Sequence, residues 1–212
     1  MSQPDAMLVY VHDPMCSWCW GFAPTLARLR ERLPPEIGFR RLLGGLAPDS
    51  DQPMPEALQT QLQATWRRIA ERIPGTRFNH DFWTRCRPRR STWPACRAVI
   101  AARSLDPTSE APMIRAIQEA YYLQARNPSE DAVLVALARE LRLPADAFAQ
   151  RLNAPQTQQA LAAEIAETQR LGVTSFPSLI LETGPASRWP IAVDYTDAEA
   201  MLRTIAEICA AT

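Results

Sequence analysis

His12-Asp13-Pro14-Met15-Cys16-Ser17-Trp18-Cys19-Trp20-Gly21-Phe22-Ala23-Pro24 is the stretch on which the reading of this chain turns. Just before it, residues 7–12 form a short β-rich run (Leu8, Val9, Tyr10, Val11) closed by Asp13-Pro14. Beyond it, residues 25–33 place Leu26, Leu29 and Leu33 on one side and Arg28, Arg30, Glu31 and Arg32 mostly elsewhere, with Pro34-Pro35 as a stop. A strand therefore gives way to a helix at or near Cys16, and Pro24, inside that helix, is expected to kink it. Two residues between cysteines at a helix start bring both sulfurs onto one turn, close enough for a disulfide. The first sulfur then faces unpaired backbone N–H groups and the positive end of the helix dipole, which favour its thiolate. By position Cys16 is a nucleophile and Cys19, one turn further in, a resolving thiol. The competing use of such a pair is half of a zinc site, which needs two more ligands. Cys86 and Cys96 stand among Arg85, Arg87, Arg89, Arg90 and Arg97, a poor setting for a dication, so no metal is expected.

Outward from the motif, a second strand fits residues 36–43, ended by Gly44-Gly45, which makes strand, helix, strand a right-handed parallel βαβ unit. From 53 to 171 the pattern is helical almost throughout. Residues 55–73 align Leu58, Leu62, Trp66, Ile69 and Ile73; residues 112–126 align Ile114, Ile117 and Tyr121. Asn127-Pro128-Ser129-Glu130 reads as a helix start with Asn127 as the cap, and residues 155–171 as a helix ended by Gly172. β-type segments return at 178–182 and 188–193 around Thr183-Gly184-Pro185, an antiparallel hairpin whose second strand Pro190 restricts to an edge. A helix over 197–210 closes the chain. Neither end has a complete sheet alone, so the expected organisation is one α/β fold: residues 1–52 plus 172–212 as a sheet domain, with 53–171 an all-helical insertion.

With 212 residues and 47% hydrophobic content, the chain can bury a sizeable core. Its 23 basic residues, all Arg, are balanced by 23 acidic ones, so no global field recruits nucleic acid or an anionic membrane. Five cysteines are too few, and odd in number, for a secreted disulfide framework. Residues 1–15 lack the basic and apolar segments of a secretion signal, and no apolar run is long enough to span a membrane, so a cytoplasmic location is expected, where dithiols are kept largely reduced.

Topology places one more segment beside the dithiol. The C-terminal ends of parallel strands share one side, so Cys16 lies near Gly44-Gly45, and an antiparallel third strand begins there, which brings in Pro177. The motif above, the helical insertion and Gly172-Val173-Thr174-Ser175-Phe176-Pro177 together resemble the DsbA-like thioredoxin-fold oxidoreductases. The likeness is closest to the cytoplasmic protein-disulfide isomerase branch, and more distant to kappa-class glutathione transferases and hydroxychromene carboxylate isomerases. The element order matches along nearly the whole chain, while the specific motifs occupy some twenty residues.

The resemblance implies a thioredoxin fold whose redox-active Cys16–Cys19 dithiol exchanges with disulfides, and a cis-Pro177 packed on Cys16. Ser175, Phe176, Pro177 and Trp18 would contact the substrate. Trp18, where periplasmic oxidases have His, implies a less oxidising couple; Phe176 replaces a residue that is commonly small or β-branched. The expected substrate is a protein or small-molecule disulfide, with the thioredoxin or glutathione system as reductant and no bound cofactor. Two alternatives stand beside this: glutathione-dependent transfer or isomerisation through Cys16, and a non-catalytic binding module. His12 is either a tuning group for Cys16 or a packed strand-end histidine. Cys96 and Cys209 read as buried core thiols, and Cys86 with its arginines as a solvated loop or an acceptor for carboxylates. Trp18, Trp20 and Phe22 are either an apolar rim around the sulfur or packing against the insertion.

Overall fold

Strand β1 (Ala6–His12) is buried along almost its whole length, since it is flanked on both edges and covered on both faces. Side-chain alternation divides its contacts: Leu8 and Tyr10 join Phe22, Leu26 and Leu29, while Val9 and Val11 join Leu42 and Ile180 on the opposite face. Two-sided burial is why the run reads as continuously apolar. The structure is a computed structural model that describes residues 6–211. Residues 1–5 and 212, the outer ends of the expected 1–52 plus 172–212 domain, lie outside the described residues.

Helix α1 (Ser17–Arg32) follows β1 and runs unbroken through Pro24. Strand β2 (Ile37–Leu43) then pairs parallel to β1, with Leu43 opposite His12. Seven helices follow before the next strand: α2 (Glu56–Arg72), α3 (Phe82–Arg85), α4 (Trp93–Leu105), α5 (Glu110–Tyr122), α6 (Asp131–Glu140), α7 (Ala145–Leu152) and α8 (Pro155–Arg170). Strand β3 (Ser178–Glu182) lies antiparallel on the free edge of β1, with Ser178 opposite Val11. Strand β4 (Arg188–Ile191) pairs antiparallel to β3, giving the order β2-β1-β3-β4. Pro190 sits on this edge strand, where a missing N–H is tolerated. Helix α9 (Ala198–Ala211) packs Met201 and Ile205 into the cluster that holds Leu8 and Tyr10. The ends of β1 and β2 and the start of β3 therefore meet at one end of the sheet.

The helical core is centred on Trp66, Phe82, Tyr122, Leu134 and Phe148, and the same apolar cluster takes in Met15, Trp20 and Leu43 from the sheet side. The insertion thus shares its interior with the cysteine turn. Helix α8 is tied to β2 by Glu164, whose carboxylate accepts the Leu43 N–H at 2.7 Å and pairs with Arg103.

Some boundaries differ from the sequence expectations. Asn127 caps no helix: its side chain accepts the Ser129 N–H at 3.2 Å and donates to Glu130 at 3.0 Å, closing a turn, and α6 starts only at Asp131. The helix expected over 112–126 is α5, which starts two residues earlier and ends at Tyr122 because Ala125 takes φ of 52°. The second hairpin strand stops at Ile191.

Candidate active site

Cys16 occupies the cap position of α1, with φ −77° and ψ 117°, and its sulfur accepts the Cys19 N–H at 3.4 Å. A thiolate here does what a Ser or Asp oxygen does at other helix starts, satisfying an orphan donor and meeting the positive helix end. The turn is closed upstream by the Cys16 N–H to Asp13 C=O bond at 3.0 Å and downstream by Trp20 N–H to Cys16 C=O at 3.0 Å. Both thiols are free. Cys16 is 5% exposed and Cys19 fully buried. Burial, followed by the hydrogen bond and charge of Cys16, pushes the Cys19 thiol well above its ordinary range, so it holds its proton.

The segment entering β3 closes over Cys16. The Cys16 thiol donates to the Phe176 carbonyl at 3.4 Å, and the Phe176–Pro177 peptide is cis. Phe176 packs its ring across the end of β2, where a Cβ on Gly44 would stand 2.0 Å from the ring's Cζ. Only glycine admits this approach. Gly44 N–H also donates to His12 C=O at 2.7 Å, extending the parallel ladder past the strands.

Beneath the turn lies a group that the sequence reading treated only as a strand stop. The Asp13 carboxylate is buried and accepts four hydrogen bonds: from Met15 N–H (2.8 Å), Leu46 N–H (2.8 Å), the Thr92 hydroxyl (2.6 Å) and the Cys96 thiol (3.5 Å). Burial raises its pKa, and the Thr92, Leu46 and Met15 bonds oppose that rise. One carboxylate therefore ties the cysteine turn, the loop after β2 and the start of α4 together. Two further ties come from the helical core: Tyr122 donates its hydroxyl to Met15 C=O at 2.6 Å, and the Trp66 indole N–H donates to Ser17 Oγ at 3.0 Å. Asp13 carried a signal, a lone acid in an otherwise apolar motif; Trp66 carried none beyond helical periodicity, and Tyr122, next to the aligned Tyr121, carried none.

A cavity of about 320 Å³ opens at Cys16. Trp18, Phe176 and Ser175 line it from the sheet side, and Met54, Arg90 and Tyr121 from the insertion. Pro177 is buried behind Phe176. Trp18 packs on Tyr195 at 5.3 Å between ring centroids, with the Arg72 guanidinium 6.0 Å over its ring, so a cation does stand near the position where the oxidases carry His. Trp20 and Phe22 are buried and form no rim; the Trp20 indole donates to Arg77 C=O at 3.1 Å.

His12 makes no hydrogen bond to either sulfur. It is buried, stacks on Tyr10 at 4.8 Å, and its pKa is lowered from 6.5 to about 3 by burial and by the charges of Arg41 and Arg103. Cys96 is a fully buried thiol bonded to Asp13, whereas Cys209 is only half-buried, because α9 is the outer layer of its cluster. Cys86 is also half-buried and donates to Ala125 C=O at 3.1 Å. The arginines around it are dispersed: Arg97 is a buried bidentate partner of Asp49, Arg89 pairs with Asp51, and Arg90 turns to the Cys16 cavity. No group of three or more His, Cys, Asp or Glu side chains suited to a metal ion occurs among the described residues. No helix among them is long and apolar enough to cross a membrane.

Comparison with known proteins gives this geometry a setting. The family model described as thioredoxin matches residues 9–188. A candidate protein disulfide isomerase from Nitrosomonas europaea superposes with a TM-score of 0.82 at 28% identity, covering 96% of both chains. The cytosolic disulfide reductase DsbM from Pseudomonas aeruginosa gives 0.77 at 26% identity over 97% of this chain and 100% of that one, and DsbM has also been solved with GSH. Among curated proteins, the ClpXP adapter protein SpxH of Halalkalibacterium halodurans is 24% identical over 172 residues, covering 79% of this chain and 56% of its own. The chain spans little more than half the length of the curated relatives it matches.

Proposed function

The chain belongs to the thioredoxin family, and from that premise we propose that it is a thiol–disulfide oxidoreductase in which Cys16 attacks and Cys19 resolves. The observation that carries the reading is the position of the Cys16 sulfur, which caps α1 while touching the Phe176 carbonyl at the mouth of a cavity. The Cys16 thiolate attacks one sulfur of a substrate disulfide, forming a mixed disulfide and expelling the other sulfur as a thiolate that takes up a proton. Cys19 then loses its proton and attacks the Cys16 sulfur. The Cys16–Cys19 disulfide forms and the second substrate thiol leaves, so the substrate gains the two electrons and two protons that the dithiol gives up. Two equivalents of a thiol reductant return the pair.

Glutathione fits as that reductant or as part of the substrate. Arg90, without an ion-pair partner among the described residues, lines the Cys16 cavity beside hydroxyl groups and offers a site for a carboxylate of the tripeptide. DsbM, solved with GSH, supports the choice, and its description as a cytosolic reductase supports reduction in the cytoplasm as the direction here. Ser175, Phe176, Pro177 and Trp18 form the substrate-facing wall in this reading, with no resident cofactor. The SpxH match favours a second role as a protein-binding module. Reduction of insulin by the purified protein with glutathione, measured for wild type and Cys16→Ser, tests the proposal: turnover lost in the variant is expected, and equal rates in the two proteins would sink it. A binding module alone would leave partner capture intact and show no turnover in either protein.

A further inference from the structure

Glu110 and Glu164, the acids drawn into the helical interior, both pair with Arg103. Asp13 is fully buried and has no cationic partner among the described residues. The groups bonded to its carboxylate are all neutral donors: the Met15 N–H on Oδ1, and the Leu46 N–H, the Thr92 hydroxyl and the Cys96 thiol on Oδ2. Four donors fill the roughly four acceptor sites of an ionised carboxylate, and the two backbone N–H groups, one on each oxygen, cannot turn away. The fold therefore keeps a buried negative charge that no positive charge offsets, which is costly to maintain. That charge sits against the cysteine turn. Met15 adjoins Cys16, and the Asp13 C=O accepts the Cys16 N–H at 3.0 Å. Its field reaches the pair: after burial and Cys16, the charge of Asp13 is among the causes that push the Cys19 thiol up, against an opposing bond from the Asp13 backbone.

We propose that the Asp13 carboxylate poises the Cys16–Cys19 couple as a reductant, by holding a fixed negative charge against the thiolate form of the pair. The proposal rests on the oxidoreductase reading above and supplies its direction. The carboxylate bonds to neither Cys16 nor Cys19 sulfur, so Asp13 is a positioning residue and not a catalytic one. In the reduced pair the attacking Cys16 is an anion, and a second negative charge nearby raises the energy of that form. In the oxidised pair the sulfurs share a neutral S–S bond and the repulsion is gone. Oxidation of the pair passes two electrons to the substrate disulfide, whose S–S bond breaks. The Cys19 proton and one from solvent end on the two substrate thiols, and the Asp13 charge favours this direction.

The test is the equilibrium of the full-length protein with reduced and oxidised glutathione at pH 7, read by mass spectrometry of alkylated Cys16 and Cys19. Asp13→Asn should shift it about tenfold toward the dithiol, about 30 mV for two electrons. Asp13→Ser removes the same charge with a smaller side chain and should give the same shift, so the result does not depend on an amide fitting the site. Asp13→Glu keeps the charge while crowding the site, and Cys96→Ala deletes one donor while keeping the charge; both should stay near wild type. Shifts in these two as large as in Asp13→Asn would reduce Asp13 to a structural tie and overturn the proposal, as would neutral variants with a wild-type equilibrium. A couple that forms but ignores Asp13 removes this proposal alone. If wild-type Cys16 and Cys19 join in no glutathione mixture, the oxidoreductase reading falls with it.

Discussion

Phe176 presents its backbone carbonyl to the Cys16 thiol at 3.4 Å across 160 residues of chain, while its ring covers Gly44. One residue thus joins the sulfur to the end of β2, and the contact depends on Gly44 having no side chain. Gly44→Ala would force its Cβ to within 2.0 Å of the ring and push the segment out of place. Overpacking of this kind costs roughly 1–3 kcal/mol. Insulin reduction should fall about thirtyfold if the middle of that range is lost from the positioning of Phe176 against Cys16, with a lower midpoint in urea. Shortening the ring in Gly44→Ala/Phe176→Leu should recover both. Unchanged activity in the single variant would show that the segment yields without cost.

Tyr122 is one of two side chains that tie the helical core to the cysteine turn. Tyr122→Phe leaves the Met15 carbonyl without its 2.6 Å donor in a buried setting and should cost about 1–3 kcal/mol in urea unfolding. Because Met15 adjoins Cys16, the variant should also change the rate of Cys16 alkylation. A stability loss with no change in alkylation would limit the hydrogen bond to a structural role.

The parallel β1–β2 unit, the helix start near Cys16 and the nearness of the Pro177 segment were legible because period-two and helical patterns, with a cysteine pair at their junction, leave few topologies. What holds the turn from below was not. Asp13 accepts from Leu46 and Thr92, partners 33 and 79 residues away, and no local pattern encodes which distant donors will arrive. His12 could be read from sequence either as a tuning group for Cys16 or as a packed strand-end histidine, and nothing local decided between them; in the fold it is buried and stacks on Tyr10. Asn127 had every local mark of a helix cap and was taken by a turn instead.

Cys19 must lose its proton before it can resolve a mixed disulfide, and burial holds that proton tightly. In single-turnover experiments starting from glutathione disulfide on Cys16, release of the second thiol should accelerate about tenfold per unit between roughly pH 7 and pH 9, following the thiolate fraction. Cys19→Ala should accumulate the mixed disulfide at every pH. A pH-independent release would mean that another group takes the proton before the attack.

His12 is expected to contribute to the acid sensitivity of the fold. Its folded pKa, about 3, lies below the ordinary 6.5, so between those values the unfolded chain binds a proton that the folded protein refuses. The stabilisation from keeping it neutral is complete above pH 6.5 and is lost as pH falls towards 3. The span of the shift corresponds to roughly 5 kcal/mol. His12→Phe, which keeps an aromatic ring beside Tyr10 without a titrating group, should remove this part of the acid dependence. Urea unfolding at pH 7, 5 and 4 measures it: wild type should lose stability more steeply than the variant between pH 6 and 4. Parallel curves would show that His12 does not carry the acid sensitivity.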